Sequence, residues 1–308
     1  MSKPLRFPVP AFLAIVILLG VACSSGGTTD QASEPPPQGS IAALKSGGTP
    51  LNLLFAQSEL TTGKAILTFG LANQQGQFAT GGTPGVWVAK DDRSPALGPF
   101  QSTFYDFSAG EKFPNEAPRT ELPGFFAAQV DIPEPGNWVV AAIANTGSSR
   151  LVGMGTMKVV AEPAAAAIGT EAISAPTPVA TTDAERGKVC TRAPPDPMHL
   201  ISLEEALRNG KPTVVTFSTP ALCESRMCGP VVDETLAVYE KVGAKKANFI
   251  HVEIYPEHDQ SKPAEAFVKW GFQSEPWTIV IDKDGVIKAG FEGPLAAPLI
   301  EAELQPLL

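Results

Sequence analysis

The stretch that most constrains this chain is Lys211-Pro-Thr-Val-Val-Thr-Phe-Ser-Thr-Pro-Ala-Leu-Cys-Glu-Ser-Arg-Met-Cys-Gly-Pro230. Thr213 to Ser218 is a short run rich in β-branched and aromatic residues, the pattern of a strand buried on both faces. Such a strand needs a layer above and a layer below it. It leads through Thr219-Pro220 into a segment that holds Cys223 and Cys228, five positions apart. On a regular helix that spacing sets the Cα atoms roughly 8.6 Å apart. A disulfide closes only between about 4.4 and 6.8 Å. A bond between the two therefore requires Cys223 to lie in the loop before the helix, or the first turn to unwind. Pro220 favours the turn that folds Cys223 back.

The elements around this stretch alternate. Leu203 to Arg208 is expected as a short helix, with Ser202 as N-cap, Glu205 completing a capping box and Gly210 ending it. A helix over Leu222 to Val242 carries a stripe of Val231, Val232, Leu236 and Val238 or Tyr239, with a kink expected at Pro230. Asn248 to Tyr255 is the next strand, parallel to the first because a helix crosses between them. Pro263 to Trp270 reads as a helix and Trp277 to Asp282 as a strand. Lys283-Asp284-Gly285 makes a tight turn into the antiparallel Val286 to Phe291, and Ala297 to Leu304 closes the unit as a helix.

This β-α-β-α-β-β-α order, with two cysteines where the main helix opens and Glu275-Pro276 ahead of the Trp277 strand, resembles the thioredoxin-like α/β fold over residues 199–308. The passage Gly271-Phe-Gln-Ser-Glu-Pro-Trp-Thr-Ile-Val-Ile-Asp-Lys-Asp-Gly285 resembles the family's cis-proline passage, which implies a cis bond at Pro276 beside the active cysteines. For redox-active members the resemblance implies that Cys223 attacks, Cys228 resolves, and Pro276 shapes the surface on which a substrate strand docks. The sequence departs from the family in three places. The cysteine spacing is wider than Cys-x-x-Cys, Leu222 replaces the aromatic residue before the first cysteine, and no carboxylate lies between Lys211 and Leu222, where thioredoxins bury a proton-relaying Asp. Glu224 and Glu275 bring negative charge, which raises a thiol pKa. The helix N-terminus and Arg226 work the other way.

Three readings stay open: catalysed thiol-disulfide exchange, a structural disulfide in a non-catalytic thioredoxin-fold binding or scaffold protein, and a chaperone-like site in which the cysteines and a His or Met hold Cu(I). His251, on the same strand face as Glu253, and His258, in the polar loop that follows, read more simply as ordinary strand and surface histidines.

Lys3 and Arg6 precede an apolar run from Ala11 to Ala22, which ends in Gly20-Val21-Ala22-Cys23 followed by Ser24-Ser25-Gly26-Gly27. This is the layout of a secretory signal, and the run falls short of the about 20 residues of a membrane-spanning helix. The end resembles the lipobox of bacterial lipoproteins, although Gly20 stands where the family prefers Leu. The resemblance implies a signal peptide over residues 1–23, lipidation at Cys23, and a place on the outer face of the cytoplasmic membrane in the cell envelope. Cleavage and release, or an uncleaved anchor, are the alternatives. In an oxidising compartment thiols tend to pair, which leaves Cys190, Cys223 and Cys228 to be assigned. Local proximity favours Cys223 with Cys228, and Cys190 is left as a resolving or stapling thiol.

Residues 24–50 are polar and Pro/Gly-rich, as expected of a disordered spacer. Over residues 51–160 short β-type runs recur: Leu51 to Ala56, Ala65 to Ala72, Gly85 to Ala89, Gln101 to Phe107, Gly124 to Ile132, Trp138 to Asn145 and Leu151 to Val160. They predict an all-β sandwich. The passage Val130 to Val140, a Pro and Gly turn feeding a strand that opens near Trp138, resembles the final hairpin of immunoglobulin-like bacterial extracytoplasmic domains. Trp87, Trp138, Met154 and Met157 are expected in its core. Residues 161–198 read as a Pro/Ala-rich linker. A chain of 308 residues carries about two globular units. Its 23 basic against 32 acidic residues, a net charge of -9, repel phosphate backbones, so nucleic acid is excluded as a partner. The partners expected are envelope proteins with thiols or disulfides, and the membrane through the lipid anchor. No cofactor motif is present.

Overall fold

A computed structural model describes residues 35–107, 122–147, 149–225 and 227–308. The expectations for the signal segment, for Cys23 and for Arg226 lie outside the described residues, as do residues 24–34 of the spacer.

Between Thr49 and Val160 the chain forms β1 (Thr49–Phe55), β2 (Glu59–Thr61), β3 (Gly63–Ala72), β4 (Gly85–Ala89), β5 (Leu97–Asp106), β6 (Gly124–Ile132), β7 (Gly136–Thr146) and β8 (Ser149–Val160). Hydrogen bonding runs β1-β3-β6-β5-β4-β7-β8 and returns to β1, so the expected two-sheet sandwich is corrected to a closed seven-strand barrel. The closure comes from β1 changing partners at Asn52. Thr49–Asn52 runs parallel to Leu151–Met154 of β8, and Asn52–Phe55 pairs antiparallel with β3. Gly153 and Gly155 of β8 let this happen. A Cβ on either would sit 2.6 Å from a side-chain carbon of Leu71 or Phe55, so the corner packs only because those positions carry no side chain. Leu67, Phe69, Val88, Phe126, Trp138 and Val140 fill the interior, and the Trp138 indole N–H donates to the Glu134 carbonyl at 3.0 Å. The short β2 pairs with the outer edge of β8.

The end of the spacer is docked rather than free. Helix α1 (Ile41–Leu44) starts at Ser40, whose hydroxyl accepts from the Ala43 N–H, and Ile41 is buried against Ala89, Ala141 and Ile143. One apolar side chain placed beside the barrel outweighs the polar composition of its neighbours.

The rest of the described chain is a layered α/β unit. Its sheet order is β10 (Asn248–Glu253), β9 (Thr213–Ser218), β11 (Trp277–Ile281), β12 (Ile287–Glu292), with β9 and β10 parallel and β11 antiparallel to both its neighbours. Every residue of β9 is buried because both faces are covered. Val214 points toward α4 (Cys228–Val242) and α6 (Ala297–Leu304). Val215 points toward α3 (Leu203–Ala206) and α5 (Glu265–Trp270). Helix α4 begins at Cys228 instead of Leu222. Pro230 therefore falls in its first turn, where a backbone N–H has no intrahelical partner, and the expected kink gives way to a Pro at a tolerated position.

Residues 161–198 do not behave as a loose linker. They form a strap across the α/β unit, bonded along β12 by Gly169 N–H to Ile287 O, Ile287 N–H to Thr170 O and Ala172 N–H to Gly285 O. The strap includes α2 (Asp183–Val189), and Ala175 and Ala180 are fully buried, because small side chains let a Pro-rich backbone lie flat on the layer beneath. The barrel and the α/β unit meet along a seam. There Phe125 and Ala127 of β6 pack on Ala296 and Leu299, and Glu292 of β12 accepts from the Ser58 N–H and hydroxyl at 2.9 and 2.8 Å. Pro36–Leu308 is accordingly one compact unit. Among the described residues no helix is long and apolar enough to cross a membrane.

Candidate functional site

The buried strand β9 delivers the chain to the edge of the sheet at Ser218, and the next residues fold back on themselves. The N–H groups of both Leu222 and Cys223 donate to the Thr219 carbonyl, at 3.2 and 3.1 Å. The strap braces the same loop, with Ala221 N–H donating to the Thr191 hydroxyl at 3.1 Å. This turn places Cys223 ahead of the helix, and the Cα atoms of Cys223 and Cys228 come to 6.1 Å instead of the wider separation of a regular helix. The two are joined as a disulfide. The Ser218 hydroxyl donates to the Cys228 carbonyl at 3.1 Å and so ties the end of β9 to the start of α4. Cys228 is fully buried and Cys223 is 7% exposed, so the first cysteine is the one nearer solvent.

Glu275 completes the group. One of its carboxylate oxygens and the two sulfurs all lie within 4.8 Å of one another. Burial, joined by the charges of Glu253 and Glu224, pushes its carboxyl pKa up to about 7, and its Oε2 has no hydrogen-bond partner. The bond from Glu275 to Pro276 is cis. Burial, Glu275 and Glu224 likewise raise the Tyr255 phenol above its ordinary value. The middle of β9 carries a hydroxyl in place of a carboxylate, with Thr216 Oγ1 3.0 Å from Thr235 Oγ1 and 3.2 Å from Thr278 Oγ1. Sequence reasoning treated Glu275 only as a nearby negative charge. Its position immediately before Pro276 was the available signal for more.

Cys190 is buried and forms no disulfide, so in this structure it does not staple the strap to either of the other two cysteines. Its sulfur lies 3.2 Å from Asp196 Oδ2 and 3.7 Å from His251 Nδ1. Burial opposes charge on Asp196, yet His251 and His199 outweigh it and hold that carboxyl well below the usual carboxylate range. Burial also opposes charge on His251, where Asp196 prevails and raises the imidazole well above its ordinary value. His251 is thus committed to Asp196 and is no ligand for the Cys223–Cys228 pair, while His258 is exposed. Asp196 and His199 were not singled out from the sequence. The one trace they left was an Asp-x-x-His spacing shortly after Cys190, within a Pro-rich stretch.

A dithiol/disulfide pair with one sulfur nearer solvent and a carboxyl that titrates near neutrality can carry electrons in pairs and protons with them. No family model matches the chain. No curated protein matches it. Among solved structures it is similar to a thiol:disulfide interchange protein of the thioredoxin family from Chlorobium tepidum TLS, at 18% identity and a TM-score of 0.28, over 44% of this chain and 99% of that one. It is also similar to a chain of the titin M10–obscurin-like 1 Ig complex, at 14% identity and a TM-score of 0.17, over 37% of this chain and 99% of that one.

Proposed function

We propose that this chain is an extracytoplasmic, thioredoxin-like thiol-disulfide exchange protein that acts on envelope proteins through Cys223 and Cys228. The observation that carries the reading is Glu275: a carboxyl with a pKa of about 7, directly before cis-Pro276 and against both sulfurs. It occupies the role left open by the missing buried Asp of β9. In the dithiol form the Cys223 thiolate attacks one sulfur of a substrate disulfide. A mixed disulfide forms, and the other substrate sulfur departs as a thiolate. Cys228 then attacks Cys223 Sγ, which closes the internal disulfide and frees the second substrate thiolate. Two electrons pass to the substrate, and the two cysteine protons go to the departing thiolates, with Glu275 as the relay. Run backwards, the same steps oxidise a substrate dithiol.

The strand order of the barrel, with β1 shared between β3 and β8, supports its reading as an immunoglobulin-like module. Lipidation of Cys23 belongs to the same proposal and rests on the signal-like segment before it.

The test is equilibration of the purified chain in redox buffers, followed by exchange with a disulfide-bonded protein. The expected potential lies between about -270 and -120 mV, where exchange partners operate. Cys223→Ser abolishes turnover, Cys228→Ser accumulates the mixed disulfide, and Glu275→Gln removes an inflection near pH 7 from the rate profile. A bond that resists reduction below about -300 mV assigns the pair a structural role instead. Retention of one Cu(I) per reduced chain against a chelator is the outcome that favours the copper reading.

A further inference from the structure

Beneath the loop that carries Cys223, four side chains from two separate segments converge. Cys190 and Asp196 come from the strap, His199 from the residue that follows it, and His251 from β10. All four are buried, and one ligand atom from each lies within 4.8 Å of the others. We propose that they form a closed, four-ligand site for a divalent cation of the zinc class, independent of the exchange chemistry at Cys223 and Cys228.

The geometry is close to what such an ion needs. With zinc bonds of about 2.0–2.3 Å, a tetrahedral site spaces its ligand atoms roughly 3.3–3.7 Å apart. Cys190 Sγ stands 3.7 Å from His251 Nδ1 and 3.2 Å from Asp196 Oδ2, and a ligand nitrogen of His199 lies within 4.8 Å of the other ligand atoms. His251 Nδ1 and Asp196 Oδ2, at 2.7 Å, must part by a few tenths of an ångström to admit the ion.

Two further features point to a ligand. His199 Nε2 is buried and makes no direct hydrogen bond, its contact with Asp196 Oδ1 being an ion-pair separation of 3.6 Å, in a side chain only 2% exposed that belongs to the cluster. A buried polar nitrogen left unpaired is costly, and a metal bond would satisfy it. The groups behind the cluster are arranged as outer partners of metal ligands usually are. His251 Nε2 meets the Ser218 carbonyl at 3.2 Å, so when an ion displaces the proton that Nδ1 shares with Asp196, Nε2 keeps the N–H and Nδ1 faces the cluster. The Met198 N–H donates to Asp196 Oδ1 at 2.9 Å and leaves Oδ2 for the ion. Once the protons on Nδ1 and the thiol leave, as metal binding requires, Nδ1, Oδ2 and the sulfur turn lone pairs to one small volume, where a cation belongs.

The donor set selects the ion. Calcium and magnesium take oxygen ligands, and Cu(I) prefers thiolates and thioethers. One thiolate, two imidazoles and one carboxylate suit Zn²⁺ and its spectroscopic substitute Co²⁺. Four buried protein ligands leave no open position, so the ion is structural, pinning the strap to β10 beside Ser218, the last residue of β9 before the loop that leads to Cys223.

The experiment uses the full chain with its Cys223–Cys228 disulfide intact, so that those sulfurs cannot bind metal. Titration with Co²⁺ is expected to give one equivalent retained after desalting, with a sulfur-to-cobalt charge-transfer band that Zn²⁺ abolishes. Cys190→Ser removes the band, and His199→Gln weakens retention by more than the roughly 10–100-fold that losing an outer partner costs. His258→Gln leaves both unchanged. If Cys190→Ser does not fold, as judged by circular dichroism, His199→Gln carries the test, because that side chain makes no hydrogen bond through Nε2. Absence of the band, its persistence in folded Cys190→Ser, or cobalt held only after the disulfide is reduced overturns the site, whatever the exchange assay gives.

Discussion

Glu275 holds its proton to about pH 7 because its surroundings offer little water and two other carboxylates. Its ordinary value is 4.5, so the fold favours the neutral form. The contribution to stability is complete below about pH 4.5 and is lost as pH rises through about 7. Glu275→Gln, which cannot ionise, is therefore expected to be more stable than the parent chain at pH 8, with the difference gone by about pH 4. Urea midpoints across that range check this, and a difference independent of pH would reject the environment described for the carboxyl. At this scale the spacing argument for the cysteines was legible in advance, since helix geometry left two ways to bring Cys223 to Cys228, and the chain takes the one in which Cys223 lies ahead of the helix. The role of Glu275 was not, because a carboxyl beside a sulfur reads from sequence as a charge. Burial, which turns it into a neutral acid, appears only when Glu253 and Glu224 are seen around it.

At the scale of elements, periodicity served well where layers are regular. Gly85–Ala89, Gly124–Ile132, Thr213–Ser218 and Ala297–Leu304 have the boundaries their sequences predict. It failed where local composition and tertiary contact disagree. The three-residue β2 is too short to show a period. The strap has the Ala and Pro content of a linker, yet it is held by a buried ion pair, Arg192 Nε to Asp233 Oδ1 at 2.8 Å, between the strap and α4. Removing one partner of such a pair costs about 3–5 kcal/mol, whereas replacing both with apolar groups costs far less. Arg192→Leu is expected to lower the stability of the chain by roughly 3 kcal/mol, and Arg192→Leu with Asp233→Leu to recover most of it. Chemical denaturation of the two variants measures both numbers. Equal losses in the single and double variants would mean that the strap is not held by this pair.

For the whole molecule, the sequence suggested two globular units joined loosely, and the seam makes them one. Ala296 is fully enclosed between Phe125, Ala127 and Leu299, and Glu292 reaches both Ser58 on the barrel side and Ser274 beside the exchange loop. Trp138 in the barrel and Trp277 in the α/β unit should therefore report a single unfolding transition. Ala296→Asp, which puts a carboxylate into the seam, is expected to split that transition in two, as read by fluorescence and far-ultraviolet circular dichroism together. Two transitions already in the parent chain would show that the seam does not couple the units. The closed barrel escaped prediction for a related reason: a strand that changes partners at Asn52 looks, residue by residue, like any other strand. The burial of Cys190, which at 3% exposed is the strap's own thiol, bears on how the chain matures. Three thiols can pair in three ways, and an oxidant that arrives before residues 190–199 have seated can choose wrongly among them. Once they are seated, Cys190 is sealed off and the choice is made. Correct bridging in this chain is then a matter of timing, decided by whether a proline-rich segment closes faster than sulfur is oxidised.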